Sequence, residues 1–208
     1  LDPRAGRRTR VALADVSPAL RQAVIAVEDA GFYAHPGVEA RGIAGAAWQM
    51  LRAGHVVSGG STITQQLARA VLLSDDERGR RSLLRKLRES VLALRITAAY
   101  DKDTVLELYL NEVYFGQLAY GVEAAAQTYF AAPARDLDLA QAALLAGLIQ
   151  SPAVYNPLVA WDAAKARQGV ALDLMVGAGF VSRAEADLAR SEPLRLAAGD
   201  GPLHAPHF

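Results

Sequence analysis

Apolar residues recur at helical spacing along almost the whole chain, in windows rich in Ala and Leu, and runs of alternating β-branched residues are few. That pattern points to an all-α fold, because strands would need a period of two. Ser17 and Pro18 form an N-cap and first-turn pair for a helix closing near Gly31, with Leu20, Val24 and Val27 on one face. A second helix is expected over 41–53, where Ile43, Trp48, Met50 and Leu51 cover more than one face. Thr62 and Gln65 have capping-box spacing and start a third helix running to about Leu73. It carries Thr62, Gln65, Gln66 and Arg69 on one side and Ile63, Leu67, Ala70 and Val71 on the other. A long helix through Ala99 follows, with Leu84, Leu87, Val91, Leu94 and Ala98 expected as a buried seam and Lys86, Glu89 and Ala93 off it. Further helices are expected at about 104–114, 121–130, 137–148, 161–176 and 182–190, the last opened by a Ser182–Glu185 capping pair.

With 208 residues, 52% of them hydrophobic, the chain suits one compact domain with a sizeable core. Lys plus Arg and Asp plus Glu balance at 22 each, so no global field argues for nucleic acid. The absence of Cys excludes disulfides and thiolate chemistry, and four scattered His residues make a poor metal cage. The uncharged stretch 139–161 holds Pro152, Asn156 and Pro157, and reads as a core helix plus a turn rather than a membrane span. The start, 1–10, is basic without an apolar stretch behind it, and 199–208 looks like an exit linker. Both suggest a piece of a longer protein, with the domain proper over 1–198.

Three segments carry residues suited to chemistry. In the first, Glu28 and Asp29 end a helix and are followed by Phe32, Tyr33 and His35. A helix C-terminus and a neighbouring carboxylate both disfavour ionisation, so one of the two acids should have a raised pKa and act as a base; a solvated pair at a helix end is the plainer alternative. In the second, Gly59, Gly60, Ser61 and Thr62 lead into a helix N-terminus, followed by Gln65, Gln66 and Arg69. Amides and the dipole there would suit an anion such as a pyrophosphate, whereas a simple capped helix needs no ligand. The Gly-Lys-Ser/Thr ending of a Walker loop is missing. In the third, Glu89 lies three and four positions after Lys86 and Arg85, in reach of both. Exposed pairs of this kind contribute about 0.3–0.5 kcal/mol, so only a neighbouring anion site would give them a further role.

Taken in order, these segments resemble the family 51 glycosyltransferases, the transglycosylase domains of class A penicillin-binding proteins and of monofunctional peptidoglycan polymerases. Glu28-Asp29-x-x-Phe32-x-x-His35-x-Gly37 is similar to the first family motif, Gly59 to Leu67 to the second, and Arg85-Lys86-x-x-Glu89 to the third. Glu107-Leu108-Tyr109-Leu110-Asn111-Glu112-x-Tyr114-Phe115-Gly116 is similar to the fourth. Ala142 to Leu148, with Ser151-Pro152 and Tyr155-Asn156-Pro157, is similar to the fifth. The likeness is dense from about Val16 to Pro157. Arg69 and Ala70 depart from the more usual Lys and Asn; Arg keeps the charge and adds a fork suited to phosphate. The connection 75–82 looks longer than usual, and Arg78 and Arg80 within it are not assigned to the site.

The resemblance implies a lysozyme-like helical head lobe and a smaller apolar jaw lobe, at about 38–58, that touches the membrane. It implies a peptidoglycan glycosyltransferase on the extracytoplasmic face of the bacterial cell membrane, joining lipid II into β-1,4-linked glycan by inverting displacement of polyprenyl pyrophosphate. Glu28 and Glu89 are then the catalytic pair, expected to face each other across one groove. Asp29, Phe32, His35, Gly60, Ser61, Thr62, Gln65, Gln66, Arg69, Arg85 and Lys86 are the substrate-binding set, with Asp29 and His35 shaping the first-motif loop. No metal ligand and no required cofactor are assigned, and a divalent cation, Mg or Mn, is admissible at the pyrophosphate. The expected partners are lipid II, the growing glycan, the membrane surface and cell-wall synthesis proteins, with no nucleic acid. A lysozyme-like enzyme that cleaves glycan, and an inert scaffold in a cell-wall assembly, are the competing readings. Consumption of lipid-linked precursor rather than finished peptidoglycan separates them.

Overall fold

The computed structural model describes residues 6–39, 60–73 and 83–197. Among them eight α-helices follow in order: α1 (Pro18–Glu28), α2 (Ile63–Leu72), α3 (Leu83–Ala99), α4 (Lys102–Glu112), α5 (Val122–Phe130), α6 (Leu139–Leu148), α7 (Trp161–Gly177) and α8 (Arg183–Ser191). Two-residue strands β1 (Arg7–Arg8) and β2 (Ala119–Tyr120) pair in parallel, Arg7 opposite Ala119 and Arg8 opposite Tyr120. The fold is all-α as expected, and the helices fall within a few residues of their expected places. The helix expected over 41–53, all but the first two residues of the jaw region, and the 199–208 linker lie outside the described residues. Among the described residues no helix is long and apolar enough to cross a membrane.

The core is organised around α6. Asp138 and Gln141 close a capping box at its start. Beyond Gln141 the helix carries no polar side chain, so it has no face to offer water and must be surrounded. Eight of its ten residues are buried. α1 and α7 pack along it and α8 rests on α7. Gly147 permits the close approach of α7, since a Cβ there would lie 3.0 Å from Arg167 Cγ. That contact brings a cation from late in the chain toward the end of α1.

Ser17 does not cap α1 with its side chain; its hydroxyl donates to the Leu137 carbonyl at 2.7 Å. The helix start relies on Pro18, whose fixed φ suits the first turn. At the other end Asp29 leaves the helical region, with φ −165° and ψ 73°. Glu28 is therefore the last helical residue, and the two adjacent acids project from differently shaped backbone.

α2 packs against α3 and α4, and here the expected burial is corrected. The supposed seam of α3 is turned outward: Leu84 is 61% exposed, Leu87 64%, Val91 51% and Leu94 43%, and Ala98 is exposed with them. The side of α3 that faces inward carries Glu89 and Ala93, both 0% exposed. A small residue is needed there because Gly37 presses on the helix, where a Cβ would sit 2.8 Å from the Ala93 carbonyl oxygen. On α2 the division of faces shifts in the same way. Ala70 and Val71 are exposed, whereas Gln65 is buried. Polar groups with partners can be buried, and an apolar stripe does not by itself say which side meets the protein.

The fourth motif secures the N-terminal segment. Asn111 accepts from the Val11 amide at 2.9 Å and donates to the Val11 carbonyl at 2.9 Å. Glu107 accepts from the Leu13 amide at 2.8 Å. Glu112 pairs with Arg8 at 2.9 Å. Tyr109, between them in sequence, points the other way, into the site.

Candidate active site

Asp29 is the knot of the site rather than its reagent. Its Oδ2 accepts from the Ile63 amide at 3.0 Å, and its two oxygens lie 2.8 and 3.0 Å from His35 Nε2. The Gly37 amide donates to His35 Nδ1 at 3.1 Å, which leaves the ring proton on Nε2 to be donated to Asp29. The Gly37 carbonyl in turn accepts from the Thr62 hydroxyl at 2.6 Å. The first motif is thus stitched to the start of α2, and His35 shapes the loop as expected.

This arrangement corrects the expected anion cradle. The Thr62 amide donates to Gln65 Oε1 at 3.0 Å, the Gln65 amide to Thr62 Oγ1 at 3.1 Å, and the Ile63 amide to Asp29. The anion at this helix N-terminus is a carboxylate of the protein itself, which satisfies the same orphan donors and dipole that a phosphate would. Thr62 and Gln65, 3% and 2% exposed, are turned into these bonds, and Phe32 is fully buried with Lys102 Nζ 4.5 Å from its ring centre. These three residues build the site from behind. Gly60 and Ser61 remain at the surface.

Glu28 has different surroundings. Its Oε2 accepts from Gln66 Nε2 at 2.7 Å. Burial pushes its carboxyl above the ordinary value, opposed by the Gln66 bond and by the charges of Arg167 and Arg69, while Asp29 adds a smaller upward push. The raised carboxyl expected of the pair is Glu28, but its main cause is lost hydration rather than the neighbouring acid. With Asp29, Glu39, Gly60, Ser61 and Thr62 it lines a pocket of about 190 Å³.

Beyond Ser61 the charge changes sign. Lys86 Nζ donates to Ser61 Oγ and lies 3.3 Å from Glu89 Oε2, while Arg85 Nε lies 3.2 Å from Glu89 Oε1. Glu89 is 0% exposed and sits beneath the two cations. Burial lowers the Lys86 pKa, the Glu89 carboxylate raises it, and the nearby Arg69 and Arg85 lower it further. Arg69 and Arg85 line a groove of about 1030 Å³ with Gln66 and Tyr109, facing Tyr114 and Tyr120 across it. Gln66 stands at the divide, since its Nε2 also reaches the Ser61 carbonyl at 3.3 Å. Glu28 and Glu89 therefore do not face each other across one groove: Glu28 lines the smaller pocket, and Glu89 lines neither cavity.

Two contributors lie outside the expected set. Arg167 stands close enough to Glu28 to lower its pKa, and its guanidinium lies 5.8 Å from the Tyr155 ring centre. Nothing local in its helix marks it, because the approach depends on Gly147. Tyr109 belongs to the fourth motif, none of whose residues is in the expected set. Ala70 lines the large groove, and nothing in the structure explains why it stands where Asn is more usual. Among the described residues no cluster of three or more His, Asp or Glu side chains is placed to hold a metal ion.

A sequence model of the family described as transglycosylase matches residues 2–176. The chain belongs to the transglycosylase family. It is 44% identical to penicillin-binding protein 1A of Escherichia coli (strain K12) over 97% of its length, and 38% identical to penicillin-binding protein 1F of Bacillus subtilis (strain 168) over 91%. Those spans are 23% and 26% of the two relatives, so the chain corresponds to about a quarter of each. Its fold matches a crystal structure of penicillin-binding protein 1A from Haemophilus influenzae with a TM-score of 0.57 and 26% identity, covering 94% of this chain and 19% of that one. The activity of this family of domains is that of a peptidoglycan glycosyltransferase.

Proposed function

We propose that this chain polymerises lipid II into β-1,4-linked glycan, with Glu28 as the general base. The observation that carries this reading is the polarity of the site: a carboxyl with a raised pKa in one pocket, and Arg69, Arg85 and Lys86 gathered just beyond it. The acceptor is the lipid-linked disaccharide and the donor is the growing glycan, α-linked through its reducing-end sugar to polyprenyl pyrophosphate. Glu28 takes the proton of the acceptor 4-hydroxyl as that oxygen bonds to the donor anomeric carbon. The bond from that carbon to the pyrophosphate breaks on the opposite face, and the departing oxygen carries away the electron pair. In-line displacement converts the α-link into a β-link. The developing charge is met by the three cations, of which Arg85 and Lys86 are held in place by Glu89.

Glu89 is a poor ligand for a hard dication, because two cations already engage its carboxylate. Among the described residues no metal site is formed there, and an Mg or Mn ion is left to the oxygens of the pyrophosphate itself. The exposed apolar stripe of α3 supports contact with a lipid surface. The jaw region is assigned the same contact, and the proposed site of action is the extracytoplasmic face of a bacterial membrane, within reach of other cell-wall synthesis proteins.

The test is Glu28→Gln. Polymerisation of lipid II should fall by about 10²–10⁴-fold, while binding of lipid II or of a phosphoglycolipid inhibitor persists. Retained polymerisation would remove Glu28 from the role, and conversion of finished peptidoglycan in place of lipid II would replace the polymerase with a glycan-cleaving enzyme.

A further inference from the structure

Gln66 holds the base through an amide that is correct in only one of its two orientations. An ionised carboxylate accepts and never donates, so the amide must present its nitrogen to Glu28, as it does at 2.7 Å. Turned over, it would set its oxygen against the carboxylate oxygen. Its Nε2 has a second acceptor in the Ser61 carbonyl at 3.3 Å, a long bond that holds the flip weakly. On the opposite edge, Gln66 Oε1 accepts from the Tyr109 hydroxyl at 3.1 Å.

Tyr109 is suited to that task. It is 3% exposed, on α4, which packs against α2. Burial raises its pKa well above the ordinary value, and the facing Glu28 carboxylate adds to the effect, so the hydroxyl keeps its proton and remains a donor. The charged groups that act on Glu28 besides this chain of bonds are Arg167, Arg69 and Asp29. None of them contacts Gln66 Oε1, where the Tyr109 hydroxyl donates, so the amide is held at its oxygen by Tyr109 and at its nitrogen by Glu28 and the Ser61 carbonyl.

We infer that Tyr109 is a positioning residue for the base, its hydroxyl anchoring the oxygen of the Gln66 amide and so helping to hold the amide nitrogen against Glu28. The inference rests on the assignment of Glu28 as general base. It gives the fourth motif two jobs, with Glu107 and Asn111 securing the N-terminal segment and Tyr109 reaching through Gln66 to the reacting acid. The Gln66 bond favours the ionised form of Glu28, so loosening it should move the acid limb of the rate profile to higher pH.

The experiment measures lipid II polymerisation by the chain carrying Tyr109→Phe, a near-isosteric change that leaves the packing of the ring intact. We expect kcat to fall about tenfold, the worth of one well-placed hydrogen bond, with KM within about twofold and the acid limb displaced upward. A carbon-13 carboxyl titration of Glu28 gives the same readout without turnover, and its midpoint should rise. On a Gln66→Ala background, adding Tyr109→Phe should change kcat by less than about twofold, because the two residues act as one unit. An unchanged kcat and limb in Tyr109→Phe overturns the positioning role, and so does a full loss that persists on the Gln66→Ala background. If Glu28→Gln still polymerises lipid II, the assignment of the base fails first and this inference falls with it.

Discussion

Glu28 and Glu89 stand at the two ends of one site, and the contrast between them shows how surroundings divide work between identical side chains. Glu28 lines a pocket, accepts one neutral amide bond and is pushed toward its protonated form by burial. Glu89 is sealed from solvent and lies within 3.3 Å of a guanidinium and an ammonium. A carboxyl that holds its proton unusually well and can reach a substrate suits a base. One held between two cations is committed to them, and its use is to keep those cations where a phosphate can find them.

That contrast can be broken experimentally. Glu89→Gln should keep the shape of the site while leaving Arg85 and Lys86 without their shared counter-charge. We expect polymerisation to fall by about 100-fold, comparable to losing a positioned electrostatic stabiliser, with a lower melting temperature in the same variant. An active and equally stable Glu89→Gln chain would show that the cations need no holder. Arg69→Ala should act on the donor side alone, weakening phosphoglycolipid inhibitor binding by about tenfold through the loss of a charge-assisted contact. Unchanged inhibitor affinity would place the pyrophosphate elsewhere.

The smallest effect sharpens the comparison from the side of stability. Because the folded-state pKa of Glu28 is raised, its contribution is most favourable below the ordinary value of 4.5 and is lost as pH rises through the folded value. At neutral pH the ionised group opposes folding. Glu28→Gln should therefore raise the melting temperature at neutral pH by about 1–3 °C, and the gain should shrink to nothing at acid pH, as read by thermal scans across that range. A loss of stability at neutral pH would mean that the carboxylate is better satisfied than the geometry indicates.

Much of the helical frame is legible in the sequence because its signals are local. The Thr62–Gln65 and Ser182–Glu185 capping boxes close as their spacing demands. The apolar stretch 139–148 could only be a core helix. α3 defeated the same reasoning. Its apolar stripe and its charged stripe are both real, and the side that faces the protein is the one against which Gly37 presses at Ala93, a contact that periodicity does not register. The start of α2 defeated it differently, since an anion was correctly sensed at that helix end but Asp29, 34 positions earlier than Ile63, takes the place of a phosphate.

By itself the sequence determined most of the described helices, two of their capping boxes and the residue types that a glycosyl transfer requires, because propensity, period and side-chain chemistry act over a few neighbouring residues. Only the tertiary structure decided that Glu28 lines a pocket while Glu89 is buried beneath two cations. It also decided that Arg167 from α7 and Tyr109 from α4 converge on the end of α1. Charge, burial and hydrogen bonding act through space, and the groups around Glu28 come from α2, α4 and α7, which the chain order keeps apart from α1.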